Sequence, residues 1–302
     1  MNAEGQAEYE KLFEEGRQLF DSGLYEQSAS SFEKAAGLGH FESAIQLAKM
    51  SISGKGIRPS PDTAETWIRR AAEILVSEKD TAVYTIGYAL KTVESFTRIL
   101  KNNGINALLD VRTTPYSKAY PDFNEDRLKQ SLESEWIAYF PFKNQFGARR
   151  SEDGAYDDIQ YYDGNKISYV NFEKTYRLRQ FQLGAIETLE YIWRGYTVCF
   201  MCSEVEPQNC HRCIMVSNYF QKMGMTAKHL VSECVIYEKA DVDRCVEECF
   251  KESYANYCKV SGKKEGVDNH WFYEESEWDR FFKTYTPEKG YYLRNVEIGY
   301  RR

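Results

Sequence analysis

From residue 82 onward the chain repeats one pattern, a short apolar run followed by a longer stretch whose apolar residues fall three and four apart. The runs Ala82–Tyr88, Ile105–Val111, Ile137–Phe142, Thr197–Met201 and Ala227–Val231 read as five strands. The stretches Thr92–Leu100, Glu125–Ser134, about Phe172 to Trp193, and His211–Lys222 read as helices, and the polar segment from Gly147 to about Ser168 as a long loop. Strands that alternate with helices pair in parallel through right-handed crossovers. The expected fold class is therefore α/β, a doubly wound, mainly parallel sheet of about five strands with helices on both faces. Ligands of such sheets bind beyond the carboxyl ends of the strands, which says where chemistry should be sought.

The flanking segments follow different patterns. Residues 1–78 read as helices only, with apolar residues at Leu12, Leu19 and Phe20, at Phe32, Ala35 and Ala36, and at Ile45, Leu47 and Ala48. Ser28-x6-Ala35-Ala36 recurs as Ala64-x6-Ala71-Ala72, with Gly54-Lys55-Gly56 between them. Small residues recurring at one period mark helix pairs that pack closely, and the segment resembles tetratricopeptide-like repeats of the Sel-one class. Only about two units are present, fewer than the roughly three that stabilise a free array. The repeats are thus expected to dock on the next domain, as a cap or as a surface for a protein partner. Residues 234–302 hold 14 aromatics, too many for a disordered tail. Their helical stretch Val242–Tyr257 and aromatic run His270–Tyr285 read as a C-terminal lobe. The expected division is 1–78 helical repeats, 79–233 α/β domain and 234–302 lobe.

No stretch approaches the ~18 apolar residues of a membrane span, and MNAEGQAEYEKLFEEG has neither a basic flank nor an apolar signal core. The expectation is a cytoplasmic protein with no membrane partner. The 302 residues carry 8 cysteines and a net charge of −7. A long chain without a signal segment is not a disulfide scaffold, and its acidity argues against general coating of nucleic acid. Four of the cysteines, Cys199, Cys202, Cys210 and Cys213, crowd into one short stretch. In the C-terminal lobe, Cys245 and Cys249 share a helix face with Cys234 and Cys258 nearby. These lack a C-x2-C pair, so packing explains them better than a metal.

Residues just after the strands form the candidate site: Gly87 and Tyr88, Asp110 and Arg112, and Cys202 with Glu204. The turn Glu204–Arg212 then delivers Cys210, His211 and Arg212 at a helix start, where free N–H groups and the dipole favour an anion. Arg112, Arg149 and Arg212 would supply fixed forks for a phosphate or carboxylate, unless they serve only an internal salt-bridge network with Asp110 and Glu204. Cys202 and Cys210 are read as a nucleophile or redox thiol, as metal ligands, or as lining alone. Adjacent Cys-His on a helix start is not expected to aim at one ion, so no metal is assigned. Glu204 and His211 form an acid–base pair by type, and Asp110 is a base or a partner that orients Arg112. His229 is a second candidate, against the ordinary reading of a satisfied core histidine.

These residues fall in a recognisable order. Thr85-Ile-Gly-Tyr88, Asp110-Val-Arg-x2-Pro115-x-Ser117, Phe123, Phe146-Gly147-x-Arg149, Met201-Cys-x-Glu204-x2-Pro207-x2-Cys-His-Arg212 and Gly224-x4-His229 resemble the domain-of-unknown-function family numbered 488, over about residues 84–232. The resemblance implies a single α/β domain with these polar residues, Ser117 included, in one pocket, and it implies no particular reaction. Two positions depart from it. Tyr88 stands where a His is expected, and Gln145-Phe146-Gly147-Ala148 where members tend to have Leu-Gly-Gly.

The leading expectation is an enzyme, a hydrolase or transferase. Its catalytic residues would be Cys202, Glu204, His211 and Asp110, and its anion-binding residues Arg112, Arg149, Arg212, Gly87, Tyr88 and Ser117. The substrate class is an anionic small molecule or nucleic-acid component, with phosphate suited to the Arg forks. No cofactor is named by the sequence. One alternative is a ligand-sensing or interaction adaptor that uses residues 1–78. The other is a thiol or redox protein that uses Cys202 and Cys210.

Overall fold

The computed structural model describes residues 3–79, 81–262 and 276–301. It opens with four helices, α1 (Ala3–Asp21), α2 (Tyr25–Gly37), α3 (Phe41–Ser53) and α4 (Pro61–Glu78), arranged as two antiparallel pairs. Helix α4 starts where its sequence says it should. The Ser60 side chain accepts from the Thr63 N–H, and Pro61 occupies the first turn, where its missing N–H costs nothing. The repeated small residues do what their spacing implied. Ser28, Ala35, Ala36, Ala64, Ala71 and Ala72 are all completely buried, and Ser28 Oγ donates to the Gly16 carbonyl at 2.7 Å across the α1–α2 contact.

The α/β part follows: β1 (Ala82–Gly87), α5 (Val93–Asn102), β2 (Ala107–Asp110), α6 (Glu125–Glu133), β3 (Ala138–Pro141) and α7 (Lys143–Phe146). Next come β4 (Tyr156–Gln160), β5 (Lys166–Val170), α8 (Phe172–Thr175), α9 (Arg179–Trp193) and β6 (Val198–Cys202). A π-helical turn Arg212–Ser217, α10 (Asn218–Gln221), β7 (Thr226–Leu230) and β8 (Ile236–Tyr237) complete it. Among the described residues the main sheet has the order β3-β2-β6-β1-β7-β8. All its pairings are parallel except β7–β8. The five expected strands are therefore present, and β8 is an antiparallel edge addition of two residues.

Period-2 alternation along the strands divides the interior in two. Val83, Leu109, Val198 and Phe200 face a core shared with the repeats and α9. Ile86, Leu108, Cys199 and Met201 face the other, closed by Phe96, Ile99 and Leu100 of α5 and by Leu128 and Leu132 of α6. Both faces are covered, as a parallel sheet requires. The repeats dock on α9: Phe41 stacks on Trp193 with ring centroids 4.4 Å apart. Trp193 Nε1 donates to Glu42 at 2.7 Å, and Lys49 pairs with Glu190 at 2.6 Å. The N-terminal helices thus share one core with the α/β part.

Three features differ from the sequence expectation. The segment expected to be a loop contains the antiparallel hairpin β4–β5, whose polar outer residues hid its alternation. The expected long helix from Phe172 is broken into α8 and α9 at residues 176–178, and the one from His211 begins with the π turn. The C-terminal lobe consists of α11 (Lys239–Ser261), α12 (Glu277–Phe282) and α13 (Pro287–Ile298). The hairpin is one wall of that lobe, since Tyr161, Ile167 and Tyr169 share a core with Phe250, Tyr257, Phe282 and Leu293. Of the aromatic run His270–Tyr285, residues 270–275 lie outside the described residues. No described helix is long and apolar enough to cross a membrane.

Candidate functional site

Strands β1 and β6 lie side by side with Gly87 level with Cys202. After β1 the chain turns to α5 on one face, and after β6 it turns to the π-helical segment, whose Ile214 and Met215 belong to the core of the other face. This is the topological switch point of the sheet, where a crevice opens at the carboxyl ends. The crevice is narrow because the chain itself fills it. Tyr88 N–H donates to the Cys202 carbonyl at 3.1 Å and Ala89 N–H to the Ser203 carbonyl at 3.0 Å. A Cβ on Gly87 would lie 1.8 Å from the Glu204 carbonyl oxygen. Gly87 is therefore required by the turn after β6 rather than by a ligand.

Four side chains converge beneath that turn. The Cys202 and Cys210 thiols both donate to the same Glu204 oxygen, Oε2, at 3.2 and 3.1 Å. His211 Nδ1 lies 3.8 Å from the Cys202 sulfur and 3.9 Å from the Cys210 sulfur. Its Nε2–H donates to the Val111 carbonyl at 3.0 Å, which fixes the ring and leaves Nδ1 facing the thiols. The two sulfurs and the ring nitrogen all lie within 4.8 Å of one another. Adjacent Cys and His can do this because their backbones differ. Cys210 is extended, at φ −136° and ψ 139°, while His211 is already helical at φ −59° and ψ −26°. The expectation that they cannot aim at one point assumed a regular helix, which starts one residue too late to apply.

The electrostatics separate the two thiols. The hydrogen bond with Cys210, then burial, push the Cys202 thiol well up. Burial alone would raise Cys210 as well, but the hydrogen bond from Cys202 and the charges of Arg212 and His211 outweigh it and hold Cys210 well down. Burial works against a charged His211, yet the Cys210 sulfur and the Val111 carbonyl raise it. The flanking cysteines take no part. Cys199 and Cys213 are buried, and burial pushes the Cys213 thiol up to about 12. Glu204 is exposed and stands between the thiols and solvent.

The arginines are deployed less uniformly than their positions at strand ends implied. Arg212 is buried, and its fork donates to the Glu204 carbonyl at 2.7 Å and the Val205 carbonyl at 3.0 Å, so it staples the turn. Arg112 is held by Asp110, with Nε 2.9 Å from Oδ1 and Nη2 2.5 Å from Oδ2, and its guanidinium lies over the Tyr88 ring. Burial disfavours its charge, but Asp110 keeps it firmly protonated. Arg112 Nη1 is buried and has no partner among the described residues. Arg149 departs from the expectation: it is exposed, and its guanidinium lies over the Tyr300 ring.

Asp110 accepts from Arg112 and also from Tyr139 Oη at 2.7 Å, so both oxygens are engaged and it acts as the partner that orients the arginine. Tyr88 stacks on Phe123 at 4.6 Å. Ser117 accepts from the Tyr120 N–H and its own N–H donates to Asn124, which makes it a staple of the loop after β2. His229 is a core histidine on β7, bonded to Thr85 Oγ1 at 2.9 Å. Three residues of the neighbourhood escaped the sequence reading. Tyr139 anchors Asp110 from β3. Lys91 is half-buried, and burial followed by the Arg212 charge lowers its affinity for a proton. Arg150, not its neighbour Arg149, is the buried member of the Arg-Arg pair, held by the carbonyls of Asn144 and Gln145. Only Lys91, a basic residue just past the β1 end, carried a sequence signal.

Among the described residues, the Cys202, Cys210 and His211 group is the one with metal-ligand geometry; the four C-terminal cysteines form no such cluster. Comparison with curated proteins and with solved structures finds no match. The model of the family described as domain of unknown function DUF488 matches residues 92–219, from the start of α5 into α10 and so including the β2 and β6 ends and the Cys-His-Arg turn. The match falls within the stretch, about residues 84–232, over which the order of motifs in the sequence resembles that family.

Proposed function

We propose that the chain is a cysteine-dependent enzyme, a hydrolase or transferase, that acts on an anionic substrate at the carboxyl rim of β1, β2 and β6. The observation that carries this reading is that two thiols share one oxygen of Glu204 while an oriented imidazole faces both sulfurs. A thiolate is the reactive form of cysteine, and a positioned base beside it is the arrangement nucleophilic catalysis needs. Cys210 attacks as the thiolate, its proton held at His211 Nδ1. As the bond from sulfur to the substrate forms and the bond to the leaving group breaks, that proton passes to the leaving group. Water then bonds to the substrate as the bond to sulfur breaks; Glu204, at the solvent edge, takes the water's proton, Cys210 leaves as the thiolate, and the proton returns through solvent to His211.

The anion is received by Arg112, whose unpartnered Nη1 is a buried donor in need of an acceptor. A phosphate-bearing small molecule or nucleic-acid component fits this donor best. Arg212 supports the site indirectly, by fixing the turn that carries Glu204. The adaptor alternative draws less support, because the inner faces of α3 and α4 are already occupied by α9. A partner of residues 1–78 would have to use the outer side of α1 and α2.

The test is a turnover screen over phosphate esters and nucleotides, paired with mapping of iodoacetamide adducts. The expected result is selective alkylation at Cys210, with turnover lost in Cys210→Ser and reduced at least tenfold in Glu204→Gln. Wild-type turnover that survives both substitutions would refute the proposal. Accumulation of a Cys202–Cys210 disulfide under mild oxidant, with no turnover, would favour the redox reading instead.

A further inference from the structure

We propose that Cys202, Cys210, His211 and Glu204 form a binding site for a soft divalent metal ion of the zinc class, and that an ion bound there caps the thiols and silences the enzyme. The inference rests on the reading of these thiols as the working centre, and it adds a regulator of that centre.

Geometry is the first argument. In a tetrahedral zinc site, bonds of about 2.3 Å to sulfur and about 2.0 Å to nitrogen set the S···N separations at roughly 3.6 Å. The observed separations are 3.8 and 3.9 Å, so a contraction of a few tenths of an ångström closes the site. The three atoms that lie within 4.8 Å of one another are the two sulfurs and the ring nitrogen, and Glu204 Oε2, which touches the sulfurs at 3.2 and 3.1 Å from the solvent side, would turn towards them to become the fourth ligand.

The second argument is the support around the ligands. A metal-bound histidine ordinarily donates its other ring N–H to a carbonyl or carboxylate, which fixes the tautomer and aims the lone pair. His211 does so through Nε2–H to the Val111 carbonyl. Charge is the third argument. Two sulfurs and a carboxylate that share one small volume repel one another once ionised, and a divalent cation removes that repulsion. Two thiolates and one carboxylate exceed the ion's charge by one, and the buried Arg212 guanidinium beside them, with its Nε unpartnered, offsets the remainder. The donor set also selects the ion. Thiolate and imidazole favour zinc or its neighbours over magnesium or calcium, which prefer all-oxygen sites.

Binding is balanced by proton release. As each metal–sulfur bond forms, the thiol that supplies it gives its proton to solvent, so zinc competes directly with the protonated dithiol. A sulfur held by the metal no longer attacks a substrate.

The test uses the full chain, stripped with a chelator and then titrated with Zn2+ alone or Co2+ alone. The expected result is one ion per chain, a thiolate-to-cobalt charge-transfer absorption with Co2+, and at least tenfold slower alkylation of Cys202 and Cys210 with Zn2+ bound. Glu204→Gln, an exposed substitution that leaves the fold alone, should weaken the affinity about 10-fold or more. Cys245→Ala, in the C-terminal lobe, should leave it unchanged. Absence of the cobalt band together with unprotected alkylation would overturn the metal site. If the metal-free chain still turns over substrate in that case, the enzyme reading stands and this inference alone fails. If zinc protects the thiols while the metal-free chain turns over nothing in the screen, the enzyme reading fails and the metal site stands.

Discussion

Lowering the pH from 7.5 to 5 should destabilise this protein through one group above others, His229. The imidazole lies on β7, almost fully buried, with Nδ1 2.9 Å from Thr85 Oγ1 on the neighbouring strand and Nε2 3.8 Å from the Cys213 sulfur. Burial first, and then the positive charge of Arg212, lower its pKa from 6.5 to about 3. Below pH 6.5 the unfolded chain takes a proton that the folded chain refuses. The stability His229 contributes is therefore complete above pH 6.5 and is lost progressively as the pH falls towards 3. Each unit is worth about 1.4 kcal/mol, so the loss reaches about 2 kcal/mol at pH 5. Urea unfolding followed by circular dichroism at both pH values measures it, with His229→Gln as the reference that keeps an amide for Thr85 and cannot titrate. The wild type should lose about 2 kcal/mol more than the variant over that interval. Equal losses in the two proteins would refute the reasoning, as would an NMR titration showing the His229 ring protonated near pH 6 in the native state.

The other predictions concern the rim and its support. Gly87→Ala places a Cβ against the Glu204 carbonyl and should lower stability by about 3 kcal/mol or more, read as a fall in melting temperature. Asp110→Asn leaves the buried Arg112 charge without its carboxylate and should cost about 3–5 kcal/mol, while Asp110→Asn combined with Arg112→Met should recover part of that loss in urea unfolding. Trp193→Ala removes the stack on Phe41 and the bond to Glu42 and should cost about 2 kcal/mol or more, with proteolysis beginning in residues 1–78.

Strand positions and core faces were legible because they depend on periodicity, which is local. Val83, Leu109 and Phe200 lie on one face and Ile86, Leu108 and Met201 on the other simply because alternate residues of a strand must. The hairpin β4–β5 was not legible, since Asp158 and Gln160 face outward and its apolar partners are in a lobe more than 80 residues away. The meeting of Cys210 with His211 was hidden for a different reason. It depends on a change from extended to helical dihedrals between two adjacent residues, which composition and spacing do not encode.

The arginines show most clearly where residue type stops being informative. A strand-end position brings Arg112 and Arg212 to the rim, and both are buried there, yet what each can do depends on the acceptors that reached it first. Both terminal nitrogens of the Arg212 fork are taken by backbone carbonyls from the turn that Gly87 admits, so only its Nε is left over. Arg112 meets one carboxylate, which accepts from Nε and Nη2 and cannot reach Nη1. A buried cation donor left over at an outer nitrogen is costly unless an acceptor arrives, and a terminal guanidinium nitrogen is better placed than Nε to meet one. Of the three arginines first read as anion ligands, Arg112 is therefore the one left with a terminal nitrogen that no acceptor has reached.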